Sequence, residues 1–287
     1  MKTLRYITAV AAIMALAACS NEDLDLGGYE NDPDAVHINA TVGDLVESRS
    51  NPITSSAFEN GDKIKLSSEG RTGVYTYNAN DDSGSWTFAS GDYLRWNNLT
   101  QKFFAWFPEG YSGNEKVLSN QSSPEWGNEH YIGLSDYMYF EGDCEKPGQA
   151  PYTINLEMQR QTARVIIDGN FRHKNELEGL EGYTISVEIS DGTTTVQTCL
   201  SNGNYYALLN PTTTVNAYKD FVTVTLHKDN DTRVYNVRGV PVLEKGYSYT
   251  YNVTIGKDRM EIGGVEVAPW TDGGVVDDDE HQAEEIE

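Results

Sequence analysis

Three cysteines and five histidines are the side chains best able to do covalent, redox or metal chemistry in this 287-residue chain, and their spacing limits what they can do. Cys19 closes an apolar run, directly after Leu16-Ala17-Ala18. Cys144 and Cys199 stand 55 positions apart with no Cys-x-x-Cys, so neither a zinc site nor a dithiol redox centre is indicated. In an oxidising compartment they could pair, or remain two separate thiols, since spacing alone does not settle disulfide geometry. His37, His130, His173, His227 and His281 have no metal-ligand spacing; His281 in the acidic stretch Asp277 to Glu285 could bind a divalent cation weakly, but the stretch reads as a solvated tail. There is no Gly-x-Ser-x-Gly, His-Glu-x-x-His or phosphate-binding glycine loop. The 44 acidic residues are too many and too spread to single out two carboxylates at glycosidase spacing. The residues thus indicate no enzyme, no cofactor and no metal.

The start of the chain has its own pattern. Lys2 and Arg5 precede an apolar stretch of about 12 residues, from Ile7 to Ala18, broken only by Thr8. That is short of the ~20 residues a spanning helix needs, so it reads as a cleaved signal peptide over 1–18. Leu16-Ala17-Ala18-Cys19 resembles a bacterial lipobox. The resemblance implies a cut before Cys19 and acylation of its thiol and new amino group, giving an anchor stable enough to hold a precursor at the outer membrane. An ordinary secretory signal with a chance cysteine is the alternative. Residues 1–18 carry two bases and no acid, so their loss takes the net charge from −23 to −25. Such a surface repels phosphate backbones, which argues against nucleic acid as a partner.

The elements that follow read as strands. Residues 19–33 are polar, acidic and glycine-containing, the composition of a flexible tether. Val36, Ile38, Ala40 and Val42 then alternate with His37, Asn39 and Thr41, as in a half-buried strand over 34–46. Further strands are expected at 62–67, 73–78, 85–89, 92–96 and 101–107, with Asn80 to Gly84 as a hairpin loop. Residues 109–135 are rich in Gly, Ser, Asn and Pro and read as a long loop. A second set follows from Pro151: the alternating Ile154, Leu156 and Met158, then 163–168, 183–190, 194–199, 204–209, 220–227, 232–238, 248–255 and 260–269. Gly263-Gly264 in the last implies a bulge or kink, and only 173–181 hints at helix. The spacing of short strands predicts an all-β chain of two tandem antiparallel β-sandwich domains, at 34–147 and 148–270, with an acidic disordered tail at 271–287.

Several segments, in order, resemble the fimbrillin-like proteins of Bacteroides and Porphyromonas relatives. They are Phe58-x-x-Gly61-Asp62-Lys63-Ile64, Phe103-Phe104-Ala105-Trp106-Phe107-Pro108, Asp136-Tyr137-Met138, the strand pair from Leu156 to Ile167, and Val265-Glu266-Val267-Ala268-Pro269-Trp270. The resemblance implies transthyretin-like sandwiches and a subunit of adhesive surface pili, exported as a lipoprotein precursor, whose partners are other pilus subunits and a host or bacterial surface ligand. It also implies proteolytic maturation in a loop after the first strand, for which Arg49 is the candidate; a solvated loop charge is the alternative for that residue. Loss of Val36, Ile38, Ala40 and Val42 would uncover side chains worth about 1.5–3 kcal/mol each for the larger ones. The unpaired edge left behind invites a donor strand. The C-terminal segment with Ile262, Val265 and Val267 is the candidate donor, although the acidic residues Asp277 to Glu280 beyond it do not suit an apolar groove, which leaves a tip or accessory role open.

A second function fits other residues. Trp86, Trp96, Trp106 and Trp126 all precede residue 148. Alternation assigns Trp86 and Trp106 to core or strand, whereas Trp126 falls in the long loop and is the candidate for an exposed glycan contact. On that reading the chain is a monomeric surface lipoprotein that binds glycan.

Overall fold

A computed structural model describes residues 26–43, 58–80, 84–122, 130–168, 172–173, 182–201, 203–255 and 260–269. Cys19, Arg49, Trp126, the expected helix beyond His173 and the acidic tail lie outside the described residues.

The N-terminal unit is one seven-stranded sheet. It contains β1 (Val36–Val42), β2 (Lys63–Ser68), β3 (Arg71–Asn78), β4 (Ser85–Gly91), β5 (Thr100–Phe107), β6 (Met138–Glu145) and β7 (Tyr152–Arg160), in the order β1-β7-β6-β5-β2-β3-β4. The short helix α1 (Leu26–Asn31) accompanies it, and α2 (His130–Gly133) lies in the segment between β5 and β6. The sheet curls until its ends meet. Ala35 bridges Arg95, and Val36 N and Trp96 N donate to Leu94 O and Asp34 O, both at 2.9 Å. Its inner face carries Val36, Ile38, Ile64, Leu66, Tyr75, Phe88, Phe103, Leu156 and Met158, all buried. The curl needs close backbone approach at one corner. A β-carbon on Gly91, whose φ is +84°, would lie 2.7 Å from Thr72 O, so only glycine fits without a shift.

The C-terminal unit is a sandwich of two sheets. One comprises β10 (Thr184–Ser190), β11 (Thr195–Gln197), β14 (Asn216–Lys228) and β15 (Asp231–Val240), ordered β11-β10-β14-β15. The other runs β12-β13-β8-β16-β17, from β8 (Ala163–Ile167), β12 (Cys199–Ser201), β13 (Asn204–Leu209), β16 (Tyr247–Ile255) and β17 (Met260–Pro269), with β9 (Arg172–His173) beside β16. Between them lies a second core that includes Val165, Ile189, Val196, Leu208, Val224, Leu226 and Val253.

The all-β sandwich architecture is as the strand spacing predicts, but several details differ. The sheets are not purely antiparallel: β1 runs parallel to β7, and β8 and β9 run parallel to β16. The break at residues 144–148 does not divide the units. Cys144 and Glu145 still belong to β6, the turn to β7 follows them, and β7 pairs with β1 and β6 and fills the N-terminal core. The chain changes unit after Arg160 instead. Residues 92–96 make a single bridge rather than a strand, and β6 has no counterpart among the expected strands. The tether reading fails over 26–33, where Tyr29 is buried and Asp32 pairs with Arg95. At Gly263-Gly264 the register does slip against Asn252, as the expected bulge requires.

Candidate functional site

The first strand sits in a slot with structure on both sides. Along one edge β1 pairs with β7 over seven residues, from Val36↔Tyr152 to Val42↔Met158. Its N-terminal end is gripped on the other edge by residues 94–96. Gly43 N donates to Met158 O at 3.0 Å and ends the pairing. Strict alternation sends Val36, Ile38, Ala40 and Val42 inward, each at most 5% exposed. Isolated from water, Tyr75 donates its hydroxyl to Val36 O at 3.1 Å. Asn39 and Asn155, on the outer face, touch through an amide hydrogen bond of 3.2 Å.

Polar groups around the entry fix the approach of the chain. Tyr29 packs with Tyr75, Phe88 and Tyr93, and its hydroxyl lies 3.0 Å from His37 Nδ1. Burial raises the Tyr29 phenol well above its ordinary pKa and, at His37, lowers the imidazole's. Arg95 pairs with Asp32, and Lys146 Nζ bonds Asp34 at 2.8 Å; that bond and the ammonium charge hold the Asp34 carboxyl below its usual range. Tyr29, Tyr75, Arg95 and Lys146 were not singled out by sequence. Only Tyr29 carries a local signal, as the one aromatic in an otherwise polar stretch.

At the far end of the chain, β17 is an edge strand with β16 as its ladder partner. Ile262, Val265 and Val267 are half-buried against the C-terminal core. They share that face because the bulge shifts Ile262 relative to the other two. Once β17 is straightened, Ile262 falls opposite Val265 and Val267.

The remaining candidates are dispersed. Trp86 is in the core, but Trp106 faces outward from β5, beside Phe104 and Tyr139. Ala105 and Phe107 take the inward positions, so alternation places Trp106 on the wrong side of the sheet for the core. Lys65 lies over the Trp106 ring at 4.9 Å and Lys102 over Phe104 at 5.1 Å. Cys144 belongs to β6 and packs on the N-terminal core while Cys199 lies in the C-terminal one, so the two do not bond each other. Among the described residues no group of three or more His, Cys, Asp or Glu side chains is placed to hold a metal, and no helix is long and apolar enough to cross a membrane.

The family model described as "Fimbrillin-like" matches residues 49–270. The chain belongs to the fimbrillin-like family. Its match begins at Arg49, beyond β1. Among solved structures, the fimbrillin-like fold recurs in a candidate cell adhesion protein from Bacteroides uniformis, with TM-score 0.55, 16% identity and coverage of 84% of this chain and 100% of that one. Another, from Bacteroides ovatus, gives TM-score 0.56 and 14% identity, covering 85% of this chain and 100% of that one. At these identities the likeness is one of fold. No curated protein matches the sequence.

Proposed function

We propose that this chain is a structural, non-catalytic subunit of a surface fimbrium, exported as a lipoprotein through Cys19 and matured by a cut after Arg49. The cut severs β1 from the body and the body from its lipid. A strand from another subunit then refills the slot. Membership of the fimbrillin-like family supports the surface and adhesion role. The observation that carries the strand exchange is β1 itself: it is the first strand among the described residues, buried on one face, and the chain runs from it to the rest of the unit through residues 44–57. Strand addition of this kind gains main-chain hydrogen bonds from one edge and specificity from alternate side-chain pockets. With β1 gone, the β7 edge and the apolar slot are both open.

The strand offered to the next subunit is β17 on this reading. Ten residues extend about 33 Å, more than the seven of β1 need. Straightened, β17 presents Gly263, Val265 and Val267 on one face against the Val36-Ile38-Ala40-Val42 pattern it would replace.

A covalent lock tests the exchange. Asn39→Cys with Asn155→Cys places two thiols at a registered, touching pair on the outer face, in a Cys144→Ser background. The oxidised protein, cut at Arg49, should stay monomeric and keep β1, and reductant should restore assembly. Assembly by the cut, oxidised protein would sink strand exchange at this slot.

A monomeric glycan-binding lipoprotein is the second reading. The outward row Phe104, Trp106 and Tyr139 favours it, with ring centroids about 6 Å apart. Sugar binding lost on Trp106→Ala or Trp126→Ala, by a protein that retains its lipid and β1, would establish that reading instead.

A further inference from the structure

The excursion between β5 and β6 leaves and returns at one point of the N-terminal sheet, because Phe107 and Met138 are register partners. It reads as loop by composition, yet its described arms, 108–122 and 130–137, are tied to both units. On the N-terminal side Lys65 Nζ donates to Tyr111 O at 2.8 Å, Tyr111 and Tyr137 stack at 4.7 Å, and Gln161 N donates to Tyr137 O at 2.8 Å. Asp136 pairs with Arg160 in a salt bridge whose side chains are at most 2% exposed. A tight turn shapes the outgoing arm: the Ser112 hydroxyl and amide bond the Glu115 carboxylate and hold its pKa down at about 2.

On the C-terminal side the arms do what a strand would do. Gln197 N donates to Ser119 O at 2.7 Å and Gln121 N to Gln197 O at 3.0 Å, a parallel bridge on the outer edge of β11. The Gln121 side chain, with no exposed area, accepts from Leu208 N and donates to Leu208 O, both at 2.8 Å. It therefore pairs the main chain of β13 beyond the reach of β12, whose register ends at Cys199↔Tyr206. Val117 and Ile132 enter the C-terminal core. Since β11 and β13 belong to different sheets, the excursion closes one side of the sandwich.

We propose that this excursion is an intramolecular complementing strap: the N-terminal unit lends the C-terminal sandwich a missing edge and part of its core, so the two units unfold as one. The inference does not depend on polymerisation. It makes the strap a second mechanical link between the units, in parallel with the single peptide connection after Arg160.

Two probes test it on residues 20–287. In a Trp126→Phe/Trp270→Phe background the tryptophans Trp86, Trp96 and Trp106 report on the N-terminal unit, and amide exchange of 204–209 reports on β13. In the parent protein both should give the same denaturant midpoint. Gln121→Met keeps volume but removes the pairing with Leu208, and should speed Leu208 exchange at least about ten-fold. Ile132→Ala removes only packing. In both variants the β13 midpoint should fall below the tryptophan midpoint, while Lys116→Ala, an exposed side chain of the strap, leaves them together. Coincident midpoints in both Gln121→Met and Ile132→Ala would overturn the proposal.

Discussion

Retention of β1 after the chain is cut is the quantity that strand exchange turns on, and Ile38 gives access to it. Ile38 is 5% exposed and points into the slot between β7 and the 94–96 segment. Truncation to alanine at a buried isoleucine costs about 2–5 kcal/mol, because the slot loses both transfer free energy and packing. Each 1.4 kcal/mol is about ten-fold in an equilibrium constant. If the loss falls in the off-rate, as is usual among variants of one interface, release of the cut segment should accelerate by about 30-fold or more. Asn39 is the control: it sits on the same strand, faces water and makes one exposed amide bond. Removing it should change release by less than about five-fold. Trypsin at Arg49, followed by the time course of loss of residues 26–49 by sizing and mass spectrometry, reads this directly. The parent protein should hold β1 long after the cut, since the buried face and the β7 ladder remain. Equal release rates for Ile38→Ala and Asn39→Ala would refute the account of what seats the strand.

Other outcomes follow from neighbouring groups. Burial lowers the His37 pKa in the folded chain, so its contribution is present above the unfolded value near 6.5 and is lost as pH falls below it; His37→Gln should flatten that limb of a stability–pH curve. Gly91→Ala should destabilise more than Gly70→Ala, as both have positive φ but only Gly91 meets a carbonyl at 2.7 Å; thermal midpoints of the two variants decide it. Arg160→Met strands the Asp136 carboxylate of the strap's returning arm and should cost about 3–5 kcal/mol in denaturant unfolding, with much of the loss recovered in Arg160→Met/Asp136→Leu.

Local pattern revealed much of the slot and little of its surroundings. The alternation of Val36, Ile38, Ala40 and Val42 needs only a period of two and a buried face, and both are present. By contrast, β6 opens with Met138-Tyr139-Phe140 and continues through Gly142 and Asp143, so no clean alternation marks it. The partner of β7 was hidden for another reason. Lys146-Pro147-Gly148 is turn chemistry, and a turn between paired strands looks the same in sequence as a boundary between domains. Trp106 shows the limit of alternation itself: Phe103-Phe104-Ala105-Trp106-Phe107 has apolar residues at both phases, and only the direction of sheet curl decides which face is inside. The strap was illegible because Val117, Gln121 and Ile132 are isolated anchors without a period.

The two units meet the same physical need, a missing edge, by attachments of different kinds. The slot of the N-terminal unit is filled by a strand at one end of the fold, and the chain runs from it to the remainder through residues 44–57. The open side of the C-terminal sandwich is filled by a strap rooted at Phe107 and at Met138, which are themselves paired. A segment held at both ends keeps a high effective concentration even when its bonds open, whereas a severed β1 competes with free peptide at ordinary concentration. A labelled peptide of residues 34–46 should therefore exchange into the cut chain, and it should do so in the parallel sense relative to β7, because parallel and antiparallel ladders place their hydrogen bonds differently. A peptide of residues 116–122 should not displace the strap at the same concentration. Incorporation of both peptides, or of neither, would show that covalent attachment does not govern which edge of this protein is open to exchange.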